Sequence, residues 1–115
     1  MKFMLLLNGD ETTFNREPEP GAPKMSPEYE AYNEAMKKAG VWVEGNRLKA
    51  TRHGARVRVR DGKSVVLDGP YADAKEQLCG YYMIDVPNLD EAVSWATRCP
   101  AAKFGTIDVR PMFEP

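Results

Sequence analysis

The chain has 115 residues, of which 43% are apolar and 29% charged. This is the size of one compact domain with the makeup of a soluble globular protein, which disfavours disorder, a collagen-like fibre and a membrane span. The formal net charge of -1 is a cancellation: residues 47–63 carry +6 and the rest of the chain -7, an asymmetry that marks an anion-facing surface.

Taken in chain order, Lys2 to Asn8 is a short apolar run that ends in Asn8-Gly9-Asp10 and reads as a strand buried on both faces. Gly9 to Met25 is polar and carries Pro18, Pro20 and Pro23. The prolines exclude regular structure there and leave an extended loop, either a lid or partner contact or a plain surface loop. Ser26-Pro27-Glu28 opens a helix, with Ser26 as N-cap and Pro27 in the first helical position. Tyr29, Tyr32, Met36 and Ala39 give it one apolar face and Gly40 ends it. Val41-Trp42-Val43 is a strand that stops at Gly45-Asn46.

Arg56, Val57, Arg58, Val59 and Arg60 alternate with the strand period. Asp61-Gly62 is a hairpin turn and Ser64 to Leu67 the returning strand. Asp68-Gly69-Pro70 breaks the strand, and Tyr71 to Gln77 forms a helical turn. Cys79 to Val86 is another apolar strand. Asn88, with Glu91 three residues on, caps the last helix. Its inner face is Leu89, Ala92, Val93, Ala96 and Cys99, and Pro100 ends it. Thr106 to Arg110 is the final strand. With the hairpin removed the order is βαββαβ, the ferredoxin-like α+β pattern, in which the first and third core strands are central. Helices then cover one sheet face only, and a second copy of the chain is an economical cover for the other. A homodimer with facing sheets is expected.

The N-terminal apolar run is too short for a signal peptide core, and Cys79 and Cys99 stand in no metal spacing. A cytoplasmic protein with reduced thiols is expected. With one histidine and no cluster of metal-type ligands, no metal and no cofactor are expected.

The segment Asp68-Gly69-Pro70-Tyr71-Ala72-Asp73-Ala74-Lys75-Glu76-Gln77-Leu78 resembles the signature of DGPF proteins within the YCII-related family, with Tyr71 in the aromatic place. The resemblance extends through Gly80-Tyr81-Tyr82, Leu89-Asp90-Glu91-Ala92 with Trp95 and Cys99-Pro100, and Val109-Arg110-Pro111. Upstream it includes Met1 to Leu7 and Gly54 to Arg58, so one domain over residues 1–115 is expected. It implies a dimeric α/β barrel. Some members carry a His-Asp pair as an acid-base site. The matching places here fall near Glu28 or Tyr29 and at Cys99, so that pair does not carry over. DGPF members also resemble accessory proteins encoded beside extracytoplasmic-function sigma factors, which implies a non-catalytic partner module as the alternative function.

The candidate chemistry rests on few residues. His53 reads as a proton shuttle or a plain surface histidine. Asp68 reads as a general acid-base carboxylate or as the residue that ties down its own turn. Tyr71 reads as a stacking and hydrogen-bonding group or as barrel filler. Asp68, His53 and Tyr71 are the catalytic candidates, and Arg58, Lys75, Glu76 and Tyr29 the ligand-binding ones. Arg56, Arg58 and Arg60 repeat every ~6.6 Å on one strand face. Neighbours at that distance repel by about 0.6 kcal/mol in water but about 2.5 kcal/mol at an effective dielectric of 20, so a sunken stripe requires an anion and a solvated one does not. The sequence pI of about 5.9 and the absence of a glycine-rich phosphate loop argue against nucleic acid. The expected function is binding of a small anionic organic molecule in a pocket between sheet, DGPY turn and hairpin, with cofactor-free acid-base chemistry, and with no membrane partner.

Overall fold

The computed structural model describes residues 1–14, 20–21, 25–69 and 75–114. The strands are β1 (Lys2–Gly9), β2 (Trp42–Arg47), β3 (Ala55–Arg60), β4 (Lys63–Asp68), β5 (Gln77–Asp85) and β6 (Thr106–Pro111). The helices are α1 (Glu11–Phe14), α2 (Pro27–Lys38) and α3 (Leu89–Arg98), with 3-10 turns at Thr51–His53 and Pro100–Lys103.

The main sheet is antiparallel, with order β2-β5-β1-β6. The two most apolar strands, β1 and β5, are therefore central, as the βαββαβ pattern requires. Among the described residues β3 and β4 pair only with each other. The fold is α+β with antiparallel sheets, compatible with a ferredoxin-like frame.

Phe3, Leu5 and Leu7 of β1 and Tyr82 and Ile84 of β5 point to one side of the sheet. There they pack with Tyr32 and Met36 of α2 and with Ala92, Ala96 and Cys99 at α3. This is the core. β1 is not buried on both faces: Met4, Leu6 and Asn8 on its other side are half-buried, because the helices cover one face only. Cys79 and Cys99 are both buried free thiols.

The caps follow the local chemistry. Asn88 Oδ1 accepts from Glu91 N at 2.9 Å, and Ser26 Oγ accepts from Tyr29 N. At the hairpin tip Asp61 and Gly62 have φ of 53° and 74°. Both lie in the left-handed region, as a two-residue turn matched to strand twist demands.

Other expectations differ from the structure. The 9–25 segment holds the short helix α1, whose first turn Asp10 closes by accepting from Thr12 N and Oγ1. These bonds hold the Asp10 carboxyl below its ordinary range. β2 runs through Gly45-Asn46 to Arg47, because pairing with β5 overrides a local turn signal. On α3, Leu89 and Val93 are exposed, and the small residues Ala92 and Ala96 let the helix sit close to the sheet instead. Ala39 is exposed at the α2 C-cap. Pro100 ends α3 but begins a 3-10 turn. The helical turn expected over Tyr71–Gln77 falls mostly outside the described residues, and Gln77 itself opens β5.

Candidate functional site

A cavity of about 290 Å³ lies between the first half of α2 and the end of the sheet where β1 finishes and β5 begins. Aromatic and apolar groups dominate its lining. Phe14 comes from α1, Tyr29 from α2, Trp42 from β2, and Tyr81 and Tyr82 from β5. Tyr82 is held in an edge-to-face series, with Trp42–Tyr82 centroids 5.8 Å apart and Tyr82–Tyr32 5.4 Å apart. Gly45 makes the series possible. A Cβ there would lie 2.5 Å from Tyr82 Cδ1, so any side chain at this position would displace the ring at the cavity wall that Gly45 and Tyr82 share.

The polar groups are few and converge. Asn33, 9% exposed, accepts from Tyr82 Oη through Oδ1 at 2.7 Å. Its Nδ2 donates to Met25 Sδ at 3.3 Å, a soft acceptor. Among the described residues this amide has no other acceptor. Arg47, two residues after Gly45 and on the same side of β2, is the one charged residue on the described lining. Burial pushes the Tyr29 phenol up to about 12, with nearby Cys99, Cys79 and Glu28 adding to the rise and Arg47 opposing it. Burial likewise raises the Tyr82 phenol and the Cys79 thiol. Near neutral pH these groups are uncharged; the Tyr82 hydroxyl is committed to Asn33 and the Cys79 thiol to the Gly9 and Gln77 carbonyls, so the cavity presents the Tyr29 hydroxyl, the Asn33 amide and one guanidinium. That set suits an acceptor-rich, negatively charged group. Among the described residues no group of His, Cys, Asp and Glu is arranged to hold a metal.

Of the residues proposed from the sequence, Tyr29 lines the cavity. His53 and Asp68 lie together at the root of the hairpin, where Gly69 N donates to Gly54 O at 2.9 Å. Both are exposed, and His53 Nε2 accepts from Arg52 Nε at 3.1 Å. Arg58 is exposed in the middle of β3. Lys75 is exposed just before β5, and Glu76 accepts from Thr106 Oγ1 at 2.7 Å, against the start of β6. Tyr71 lies outside the described residues. The cavity is thus built by α2 and the sheet, and its described lining does not include the hairpin.

Sequence reasoning did not single out Asn33, Tyr82 and Trp42, and it counted Arg47 only within the basic run. A signal for Arg47 was present. Continuing the strand period from Gly45 puts Arg47 on the side facing the helices.

The hairpin root is tied to α1. Glu11 Oε1 accepts from Thr51 Oγ1 at 2.6 Å and Oε2 from Thr51 N at 2.9 Å, and Glu11 N donates to Gln77 Oε1. One residue, Glu11, therefore joins three segments, through its carboxylate and its backbone amide, beside the wall that Phe14 supplies.

Residues 1–114 match the sequence model of the YCII-related domain. The chain belongs to the YCII-related family. The match bears out the resemblance to the YCII-related family over residues 1–114. The chain is also similar to an uncharacterised protein of Rhizobium meliloti, with 43% identity over 68 residues. That stretch covers 57% of this chain and 55% of the relative, so the match spans about half the length of each. Among the described residues no helix is long and apolar enough to cross a membrane.

Proposed function

We propose that this YCII-related protein binds a small organic carboxylate in the α2–sheet cavity, aromatic or similarly apolar in its body. The observation that carries this reading is the pairing of Arg47 and the buried Asn33 amide with a cavity otherwise lined by aromatic groups. A carboxylate there would add a charge-assisted contact to Arg47 and an acceptor for the Asn33 amide, while its apolar body would displace water from the rings of Tyr29, Tyr82 and Trp42. The site acts in a homodimer of the cytoplasm, in which the open faces of two main sheets oppose each other as a dimeric α/β barrel. Half-buried Met4, Leu6 and Met83 on the uncovered face support that pairing.

The cavity offers neutral phenols and thiols rather than a general base. A cofactor-free proton transfer would therefore draw on groups outside that lining; Asp68, His53 and Tyr71 are the candidates for it, with Arg58, Lys75 and Glu76 as candidate ligand contacts. Asp68→Asn tests it, and unchanged turnover of a bound ligand would sink that role.

Binding is tested by thermal shift with a panel of aromatic and aliphatic carboxylates and their neutral alcohol counterparts. A true ligand at 100 times its dissociation constant adds about 2.7 kcal/mol. Carboxylates are expected to raise Tm more than their alcohols, and Arg47→Ala to remove that preference. Equal shifts in the Arg47→Ala protein would defeat the reading.

A second reading, a non-catalytic module for a protein such as a sigma factor, is favoured by the full exposure of the hairpin. Capture of a transcription factor that is lost on R56A/R58A/R60A would select it.

A further inference from the structure

The four strands of the main sheet contain three glycines, Gly9, Gly45 and Gly80, and all three lie on the side that faces the helices. Gly9 follows Leu7 at the end of β1, Gly45 pairs with Tyr82, and Gly80 pairs with Leu7 on one side and Arg47 on the other. Glycine weakens a strand interior and often marks a place where a ligand or another segment comes close. At two of the three, the close group is an aromatic ring of this chain. A Cβ on Gly9 would overlap the Phe14 ring, and one on Gly45 the Tyr82 ring. Phe14 and Tyr82 both line the cavity.

Gly80 lines the same cavity, but no ring of the chain is seated on it in this way. The three heavy atoms nearest to a Cβ there are all backbone of β2, with Asn46 O at 3.0 Å and Arg47 Cα at 3.5 Å. A methyl group would need Asn46 O to give by a few tenths of an ångström, far less than a Cβ on Gly9 or Gly45 demands. Gly80 also stands between the groups an aromatic acid needs. Arg47 is directly opposite it, about 5 Å away across the ladder. Tyr82, two residues along β5, is about 7 Å away, at the outer range of edge-to-face ring contacts. The cavity volume of about 290 Å³ is at the small end for ligand sites, which begin near ~300 Å³, and suits one ring with its carboxylate.

We propose that Gly80 is a ring seat and that the ligand is a single-ring aromatic acid of the benzoate class, its ring over Gly80 beside Tyr82 and its carboxylate on Arg47. This deepens the carboxylate reading and rests on it for the Arg47 anchor. The ligand ring supplies at Gly80 what Phe14 supplies at Gly9 and Tyr82 at Gly45. A flat ring lies against bare peptide, whereas a puckered saturated ring of the same charge directs axial hydrogens into it. A residue without a side chain thus sets the preference for aromatic over saturated acids.

The full chain is titrated with benzoate, cyclohexanecarboxylate and benzyl alcohol. Calorimetry reads the dissociation constants, and NMR reads the Gly80 Hα and amide resonances. Benzoate is expected to bind about tenfold more tightly than cyclohexanecarboxylate and to move the Gly80 Hα resonances upfield through its ring current. Gly80→Ala is expected to lose that preference while its far-UV circular dichroism matches wild type. Where Gly80→Ala does not fold, the wild-type Gly80 shifts decide alone. Carboxylates that bind wild type but not Arg47→Ala, with benzoate within about twofold of cyclohexanecarboxylate and Gly80 unmoved, would overturn the ring seat and leave the carboxylate reading standing. Benzyl alcohol as strong as benzoate, with Gly80 shifted and Arg47→Ala without effect, would keep the ring seat and overturn the carboxylate. Failure of every carboxylate to bind wild type would overturn both.

Discussion

Tyr82 Oη and Asn33 Oδ1 are joined by a buried 2.7 Å hydrogen bond between β5 and α2, across 49 residues of chain. It fixes the Asn33 amide so that its nitrogen faces Met25 and the cavity. The two partners are not equivalent on removal. Tyr82→Phe deletes a donor and leaves an amide that water entering from the cavity can serve, at a cost of about 1 kcal/mol. Asn33→Leu leaves a buried phenol without its acceptor and costs about 1–3 kcal/mol. Urea denaturation of the two variants measures the difference, and the larger loss is expected for Asn33→Leu.

Gly45 sets the position of the Tyr82 ring. Gly45→Val puts side-chain atoms where the ring edge now lies 2.5 Å from an ideal Cβ. The expected cost is about 1–3 kcal/mol from overpacking. Displacing the ring also reshapes the cavity wall that Gly45 and Tyr82 share, so the carboxylate-dependent rise in Tm is expected to vanish in this variant even where it remains folded.

Glu11→Ala removes the acceptor of both Thr51 bonds. Hydrogen bonds to a charged group contribute about 1.5–3 kcal/mol each when well made. Loss of about 2 kcal/mol is expected, together with faster amide exchange at Thr51 and faster proteolysis near residues 11–14 and 51–53. Unchanged exchange at Thr51 would show that the carboxylate does not hold the segment.

Alkali is expected to destabilise the protein through its buried acids. Cys99 is pushed up by burial to about 11 from an ordinary 9.0, and Tyr29 to about 12 from 10.0. In each case the folded chain holds its proton more tightly than the unfolded chain. The stabilising contribution is complete below the unfolded value and is lost as pH rises toward the folded one. For Cys99 this window is pH 9 to 11, and for Tyr29 it is pH 10 to 12. Denaturant midpoints measured across this range should fall. Cys99 should also react with a thiol reagent at pH 8 only after unfolding, since it is 1% exposed.

Asn88→Ala removes the acceptor for Glu91 N and is expected to cost about 1 kcal/mol. The change is confined to the first turn of α3, away from the cavity, so carboxylate binding should be unaffected when compared at equal distance below Tm.

The frame was legible where short-range chemistry decides it. Ser26-Pro27 and Asn88 mark helix starts because orphan amides demand acceptors, and Asp61-Gly62 marks a turn because its φ values exclude most residues. The failures have a common cause, in that long-range pairing outweighed a local signal. Gly45-Asn46 looks like a turn but lies in a strand because β5 supplies its hydrogen-bond partners. Of the inner face read on α3, Ala92, Ala96 and Cys99 are buried as expected, whereas Leu89 and Val93 are exposed. α1 escaped notice because it is only four residues long and precedes a proline-rich stretch. The site was less legible than the frame. Tyr29 lines the α2–sheet cavity, whereas the expected pocket lay at the hairpin, and Asn33 and Tyr82 meet only through folding. Nothing in their separate sequence contexts announces the bond between them.

The alternation of arginine and valine along β3 also governs the fate of newly made chains. A ribbon with bare edges and an apolar face is a template on which further strands can stack into cross-β fibres. Arg56, Arg58 and Arg60 repeat on one face with Lys63 across from Arg60. Each in-register strand added to such a stack would bring identical positive charges to within about 5 Å. Those residues therefore make the hairpin repellent to its own kind. Neutralising them to Gln would leave Val57, Val59, Val65, Val66 and Leu67 without gatekeepers, and would turn the hairpin into a seed for aggregation.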